Sequence, residues 1–186
     1  MPISDQQEFD AYLEKYKNEF LTDERSPLQK EDLKYLDFYP FDVSWKIECS
    51  CETPQNSEAF DMDLYSGKKR SYKVHTILHC NKGKHLFSLE LYQSMAYPSN
   101  PAYAHHLFLP FKDETNGEAT YGGGRYIDIQ DHEIQDRKVM IDFNKAYNPW
   151  CAYSSGYNCP VPPVTNHLPF AVEVGEKMYK GEHKEH

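Results

Sequence analysis

The first part of the chain has the hydrophobic spacing of an amphipathic helix. Between residues 4 and 20, large apolar side chains recur three or four positions apart, which places them on one helix face. These side chains are Phe9, Tyr12, Leu13, Tyr16 and Phe20. Ser4 and Gln7 form the S-x-x-Q pattern of a capped helix start. The pattern predicts a helix over residues 4–20 that packs by this face.

A second, shorter helix is predicted directly after the first. Ser26 provides an N-cap, a proline occupies the first helical position, and Gln29 completes another S-x-x-Q pattern. Leu33 and Leu36 would form its buried side. Pro40 sets the end of this helix, because the residue before a proline disfavours helical torsion angles.

From residue 42 onward, apolar and polar residues alternate with the two-residue period of β-strands. Such stretches occur about eight times, at 43–49, 60–64, 72–78, 86–92, 106–111, 126–129, 139–143 and 170–174. The stretches 126–129 and 139–143 look like a pair, and links of hairpin length favour antiparallel pairing. We therefore expect a mostly β (β-rich α+β) fold, an antiparallel small barrel or sandwich of about eight strands with two N-terminal helices.

The charge of the chain is concentrated near its N-terminus. The 186 residues have a formal net charge of −9, and residues 1–37, with ten acidic and five basic side chains, account for −5 of it. No basic stripe is present, so we expect no nucleic-acid partner. We expect an N-terminal helical arm at 1–37, a β-rich domain at 38–176 and a disordered tail at 177–186.

Two absences in the sequence suggest where the protein resides. No apolar run approaches the roughly 20 residues of a membrane span. The acidic N-terminus lacks the basic and apolar regions of a signal peptide. We expect a cytoplasmic protein without a membrane partner, and a homo-oligomer is compatible with the sequence.

The cysteines argue against a disulfide framework. They are Cys49, Cys51, Cys80, Cys151 and Cys159. An odd number in a cytoplasmic chain is unusual for disulfide scaffolds, although a redox pair of Cys151 and Cys159 is an alternative. Neither cysteine nor histidine spacing matches a metal site, so no metal is predicted.

The run YGGGRYID at residues 121–128 is the strongest candidate for a binding site. Successive backbone amides of Gly122, Gly123 and Gly124 can form a nest for an anion, and Arg125 can bind a carboxylate or phosphate with two hydrogen bonds. Alternatively, the run is a tight turn that feeds a strand, with Arg125 paired to Asp128 or Asp142.

The run DFNKAYNPWC at residues 142–151 ends a predicted strand and begins a long loop. Asp142 and Asn144 share one strand face and offer polar groups to a ligand. Asn148 precedes a proline and is more typical of a residue that holds its own loop. The aromatic rings of Tyr121, Tyr126 and Tyr147 would form the walls of the site.

Four side chains are candidates for catalysis. Glu118, Asp128 and Asp142 are carboxylates near the glycine run that can act as general bases. Cys151 would be a nucleophile only if the fold brought a base such as His167 or His106 close to it. In each case a structural role is the competing interpretation.

The same motifs resemble the DUF1684 family of bacterial and archaeal proteins. The matching segments are 107–111, 115–118, 121–128, 142–151 and 159–163, with Asn166 and the dipeptide at 168–169, and the segments 26–28 and 36–40 resemble short-form members. The resemblance covers roughly residues 20–176. It implies a shared site built from these motifs, and it implies no reaction, because the family's function is unknown.

The sequence thus predicts a binding site for a small anionic or polar molecule at the 122–125 turn. A hydrolase that uses carboxylates of the same site is one alternative. A small barrel that binds a phosphate-bearing cofactor of the flavin type is another. The sequence does not identify a cofactor.

Overall fold

The computed structural model describes residues 3–96 and 100–185. The first predicted helix is confirmed as α1, Asp5–Thr22, with the predicted capping box between Ser4 and Gln7. Within the described residues, no helix has both the length and the apolar composition of a bilayer span. The side chains that α1 buries are Phe9, Tyr16 and Phe20.

The second predicted helix is wrong in type and in its start. Lys30–Tyr35 forms a 3-10 helix. Its N-cap is Gln29, whose N–H donates to the Asp32 carboxylate at 2.7 Å, whereas Ser26 Oγ accepts from Leu28 N–H at 3.2 Å. A segment with so few apolar side chains gains little from packing, and packing supplies most of a helix's stability in proteins.

Seven strands of the described chain form one antiparallel sheet. Their bounds are β1 Lys46–Glu52, β2 Phe60–Asp63, β3 Lys69–Lys82, β4 His85–Ser94, β5 His106–Phe111, β6 Arg125–Gln130 and β7 Lys138–Asp142. The order across the sheet is β6-β5-β4-β3-β1-β7, and β2 pairs with the start of β3. A hairpin turn joins β3 and β4, and Gly83 in this turn has φ +59°.

The sheet is curled into a half-barrel, so the mostly β class is confirmed and the closed barrel or sandwich is not what is observed. β6 and β7 lie at the two ends of the sheet. The predicted pairing of 126–129 with 139–143 is therefore wrong, because β6 pairs with β5 and β7 pairs with β1. The connection between them contains Asp136 and Arg137 at φ +50° and +60°, and it carries the chain from one end of the sheet to the other.

The eighth predicted strand, at residues 170–174, is not a strand. Phe170, Val172 and Val174 are buried, as the alternating pattern predicts. The Phe170 carbonyl accepts a hydrogen bond from Glu114 N–H at 3.2 Å, and Val172 and Val174 pair with side chains instead of a neighbouring strand. Asp113 accepts a hydrogen bond from Val172 N–H at 2.6 Å, and Arg125 donates to the carbonyl oxygens of Val172 and Val174.

The two faces of the sheet carry different kinds of side chain. One face packs against residues 168–174 and forms the main core with them. Its aliphatic side chains include Ile47, Leu89, Leu107 and Ile127. The other face is aromatic and carries Tyr72, Tyr92, Phe108 and Tyr126. This division follows from strand geometry, since neighbours such as Leu107 and Phe108 point to opposite faces.

The expected absence of a disulfide framework is wrong, because Cys49 bonds to Cys80 and Cys151 bonds to Cys159. The register of β1 and β3, in which Ser50 lies opposite His79, makes Cys49 and Cys80 neighbours. Disulfides persist mainly in oxidising compartments. The pairing therefore does not support the expected cytoplasmic location, which stays a prediction.

The end of the chain packs against the rest of the protein. Lys177 N–H donates to the Asp37 carbonyl at 2.8 Å, and Lys184 N–H donates to the Tyr153 carbonyl at 2.9 Å. The expectation of a disordered tail disagrees with these bonds as far as residue 185. The division into an arm and a domain stays a prediction.

Candidate functional site

The glycine run forms a tight turn that leads into β6. Gly124 N–H donates to the Tyr121 carbonyl at 3.1 Å, and Gly124 has φ +91°. A β-carbon at Gly124 would lie 2.6 Å from the Phe111 carbonyl oxygen and 2.8 Å from Pro162 Cγ. Position 124 therefore needs glycine for both torsion angle and space. The Gly123 carbonyl accepts a hydrogen bond from Tyr65 OH at 2.8 Å.

We expect Gly124→Ala to lower the free energy of unfolding by about 1–3 kcal/mol, because it combines a strained backbone with close contacts. Gly122→Ala is the matched control, since a β-carbon there meets nothing nearer than Gly117 Cα at 3.7 Å. Urea denaturation midpoints measure the difference. Equal midpoints for the two variants would contradict a structural requirement at position 124.

Arg125 points into the protein interior, and both Nη atoms of its guanidinium form hydrogen bonds with protein groups. Its side chain is fully buried, and Nη2 lies 3.2 Å from Asp113 Oδ2. Nη1 donates to the Val174 carbonyl at 2.5 Å, and Nη2 donates to the Val172 carbonyl at 2.8 Å. The geometry favours the alternative of an internal ion pair, with Asp113 as the partner in place of Asp128 or Asp142.

Asp142 and Asn144 hold the loop that follows β7. Asp142 Oδ1 accepts hydrogen bonds from Asn144 N–H at 3.1 Å and from Asn144 Nδ2 at 2.9 Å. The buried amide of Asn144 also bonds the backbone of Asp42 in both directions at 2.9 Å. Glu118 is exposed on the turn before the glycine run. These contacts support structural roles for Asp142 and Asn144.

Glu176 is a buried carboxylate that the sequence pattern did not single out. It accepts hydrogen bonds from Tyr16 OH at 2.7 Å, Tyr153 OH at 2.5 Å and Asn148 N–H at 2.8 Å. Burial raises the pKa of Glu176 to about 7, although these donors and the charge of Arg125 act in the opposite direction. The Glu176 carboxylate thus connects the C-terminal part of the chain with α1 and with the loop that follows β7.

A cleft lies between α1 and the aromatic face of the sheet. It consists of two adjoining cavities of about 820 and 740 Å³, and Asp128, Tyr147 and Trp150 line both. We call the two cavities together the cleft. The smaller cavity is also lined by side chains from β3, β5 and β6, which include Arg70, Tyr72, His106, Phe108 and Tyr126.

Asp128 lies where the two cavities meet, between two side chains that carry protons. Its Oδ1 is 2.8 Å from His106 Nε2, and its Oδ2 accepts a hydrogen bond from Tyr147 OH at 2.7 Å. The side chains of Asp128 and His106 are 44% and 27% exposed. Burial and the nearby Asp128 carboxylate raise the pKa of Tyr147 well above its usual range. The phenol of Tyr147 therefore remains a hydrogen-bond donor.

The two arginines of the cleft differ in their partners. Arg25 Nη2 lies 2.8 Å from Asp23 Oδ2, and the guanidinium is 5.8 Å from the centre of the Trp150 ring. Arg70 donates to the Asn158 carbonyl at 3.4 Å. In residues 3–96 and 100–185, no carboxylate lies within ion-pair distance of Arg70, so its charge is available to a ligand.

The Cys151–Cys159 disulfide supports one wall of the cleft. Cys159 lines the smaller cavity, and the bridge closes the loop that contributes Tyr157 and Asn158 to the same wall. Because Cys151 is bonded, it offers no thiol in this structure. The nucleophilic role considered for Cys151 thus lacks its reacting group.

The predicted site residues do not meet in one place. Tyr126, Asp128, Tyr147 and Asn148 line the cleft, whereas Arg125 and Asn144 are buried among protein groups. Tyr121 is half-buried against the cluster that α1 forms. The structure adds residues to the cleft that were not proposed as ligands, namely Arg70, Phe108 and, in its pairing with Asp128, His106.

The fold and the cleft together define a half-barrel β protein with one long N-terminal helix and an aromatic cleft beneath it. The chain belongs to DUF1684, a family described as protein of unknown function, which matches residues 31–177. The structure is similar to the solution NMR structure of an uncharacterized protein from Haloarcula marismortui, with 26% sequence identity and a TM-score of 0.68. That similarity covers 93% of this chain and 96% of the other. Among curated proteins, none matches this chain.

Proposed function

We propose that the cleft binds a small molecule that combines a flat apolar part with an anionic group. The observation that carries the proposal is the placement of Arg70. This cation has no carboxylate partner in the described residues and lines a cavity of about 740 Å³ among aromatic rings. Ligand sites commonly have a volume of about 300–1,000 Å³, apolar walls and a few polar groups that fix orientation.

The aromatic wall of the cleft is supported from behind. The rings of Phe108 and Tyr126 pack edge to face with 4.7 Å between their centres, and Tyr72 stacks on Phe108 at 5.9 Å. Tyr126 OH donates to the Pro160 carbonyl at 2.5 Å, which fixes the ring. Rings that are already packed offer a preformed apolar surface to a flat ligand.

The proposed ligand is anionic, as the sequence predicts, but the residue that binds its anionic group is Arg70 instead of Arg125. Arg125 already has Asp113 at 3.2 Å, whereas Arg70 has a single long contact to a carbonyl oxygen. A guanidinium binds a carboxylate, sulfonate or phosphate through paired charge-assisted hydrogen bonds. Arg70 is therefore the residue that we expect to select an anion.

We expect the aromatic sulfonate 1-anilinonaphthalene-8-sulfonate to bind the folded protein and to bind Arg70→Ala about tenfold more weakly. The loss reflects a charge-assisted hydrogen bond worth about 1.5 kcal/mol. Titration of the probe's fluorescence measures the dissociation constant. Displacement of the probe by benzoate and phenyl phosphate then shows which anion the cleft prefers.

Lys84→Ala is the control, because Lys84 is an exposed cation in the hairpin turn between β3 and β4. It changes the net charge by the same amount and should leave the dissociation constant unchanged. Equal affinities of the wild type and Arg70→Ala would show that Arg70 is not the anchor.

A further inference from the structure

The side chains of His106, Asp128 and Tyr147 form a connected set on one wall of the cleft. We infer that the protein is a hydrolase of small anionic esters, with His106 as the general base and with Asp128 and Tyr147 as positioning residues. The inference rests on the proposed function, because Arg70 would hold the anionic group of the same molecule.

The contact with Asp128 sets the orientation of the His106 ring. Asp128 Oδ1 lies 2.8 Å from His106 Nε2. A carboxylate accepts a hydrogen bond, so this contact favours the tautomer with the proton on Nε2 and leaves the lone pair on Nδ1. Among the described residues, no protein group forms a hydrogen bond with Nδ1, so Nδ1 can accept a hydrogen bond from a water or substrate molecule.

Tyr147 holds the other oxygen of the same carboxylate. Its OH donates to Asp128 Oδ2 at 2.7 Å. The backbone of Tyr147 is itself fixed to β6 by two hydrogen bonds with Tyr126, at 2.9 and 3.0 Å. The carboxylate is therefore restrained at both oxygens, which is how a positioning group keeps a base aligned.

The neighbouring pair of His105 and Asp131 is a surface contact with which the pair of His106 and Asp128 can be compared. His105 Nδ1 lies 3.0 Å from Asp131 Oδ2, and the His105 side chain is 68% exposed. The His106 side chain is 27% exposed and lines the smaller cavity. Asp128 also has a second partner in Tyr147. The lower exposure of the His106 side chain and the second restraint on Asp128 distinguish this pair from His105 and Asp131.

The reaction requires only water as a second reactant. Nδ1 of His106 removes a proton from a water molecule while the water oxygen forms a bond to the acyl carbon of the ester. The bond between the acyl carbon and the alkoxy oxygen then breaks, and the proton passes from His106 to the departing oxygen. The products are a carboxylic acid and an alcohol, and the neutral imidazole is restored.

We expect the protein to hydrolyse mono-p-nitrophenyl succinate, an ester with a flat ring and a free carboxylate. Release of p-nitrophenolate measures kcat and KM. His106→Gln should lower kcat about hundredfold, the usual contribution of a general base. His105→Gln is the matched control and should retain the wild-type rate. A wild-type rate no greater than that of equimolar imidazole, or an undiminished rate in His106→Gln, would overturn the inference.

A second measurement tests the positioning role without reference to turnover. Long-range ¹⁵N correlation spectra of the histidine rings should show the His106 proton on Nε2 in the wild type. Asp128→Asn should shift the tautomer balance of His106 and leave His105 unchanged. A proton on Nδ1 of His106 in the wild type would contradict the assigned base.

The two proposals fail in different ways. Binding of the aromatic sulfonate that depends on Arg70, together with hydrolysis that does not depend on His106, sustains the binding site and rejects the hydrolase. Hydrolysis that depends on His106, together with a KM and a probe affinity that Arg70→Ala leaves unchanged, rejects Arg70 as the anchor.

Discussion

Replacement of Arg125 with alanine is expected to lower the free energy of unfolding by about 3–5 kcal/mol. The substitution leaves the Asp113 carboxylate without its cation in a site where both side chains are fully buried, and an unpaired buried charge carries a penalty of that size. It also removes the donor of the Val172 and Val174 carbonyls, which have no neighbouring strand to pair with.

The midpoint of urea denaturation, with the disulfides intact, measures this loss. Arg25→Ala is the control, because Arg25 is 77% exposed in its pair with Asp23 and such pairs contribute less than about 1 kcal/mol. An Arg125→Ala protein that is as stable as the wild type and has lost affinity for anions would instead support the binding role predicted from the glycine run.

Glu176→Gln is expected to remove a pH dependence of about 3 kcal/mol from the free energy of unfolding. The pKa of Glu176 is about 7 in the folded protein, against an ordinary value of 4.5. Between these values the folded state binds more protons than the unfolded state, so stability falls as the pH rises. The contribution is fully present below pH 4.5 and is lost as the pH passes through about 7. A shift of this size corresponds to about 3 kcal/mol.

Urea denaturation of both proteins at a series of pH values from 4.5 to 8 tests this expectation. The glutamine can accept the Asn148 N–H and Tyr16 OH bonds and donate to Tyr153 OH, so the variant should fold. Glu173→Gln is the matched control, because Glu173 lies three residues earlier in the same segment and is exposed. Parallel curves for the wild type and Glu176→Gln would show that the carboxylate does not titrate in this range.

The alternation of residue types was enough to predict most of the sheet. Residues 106–111 form β5 with the predicted bounds, and β2, β4, β6 and β7 differ from the prediction by a few residues at most. The alternation of apolar and polar residues predicts which side chains are buried. It does not predict the hydrogen-bond partners of the backbone. Residues 170–174 alternate equally well, yet their backbone groups pair with Arg125 and Asp113.

Pairing between strands was harder to predict than the strands. β6 and β7 follow each other in the chain, which favours a hairpin, and only the tertiary structure shows that each joins a different end of the sheet. The disulfides were missed for a related reason. Cys49 and Cys80 become neighbours only when β1 and β3 are placed side by side, and the cysteines of a cytoplasmic protein are usually free thiols.

Part of the cleft could have been predicted from the sequence. His106 and Phe108 fall on one face of β5, and Tyr126 and Asp128 fall on one face of β6, opposite to the aliphatic residues between them. Pairing of the two strands by these faces would have brought His106 and Asp128 together. Arg70 had no such signal, because it ends a run of basic residues that is typical of a solvated surface.

The hydrogen bonds from Arg125 to the Val172 and Val174 carbonyls affect when the protein can finish folding during its synthesis. Arg125 precedes Val172 and Val174 in the chain, so it is synthesised before the residues whose carbonyls it binds. A nascent chain that lacks this segment has a guanidinium whose acceptors, apart from Asp113, do not yet exist. The burial of Arg125 can therefore be completed only after Val172 and Val174 have left the exit tunnel of the ribosome.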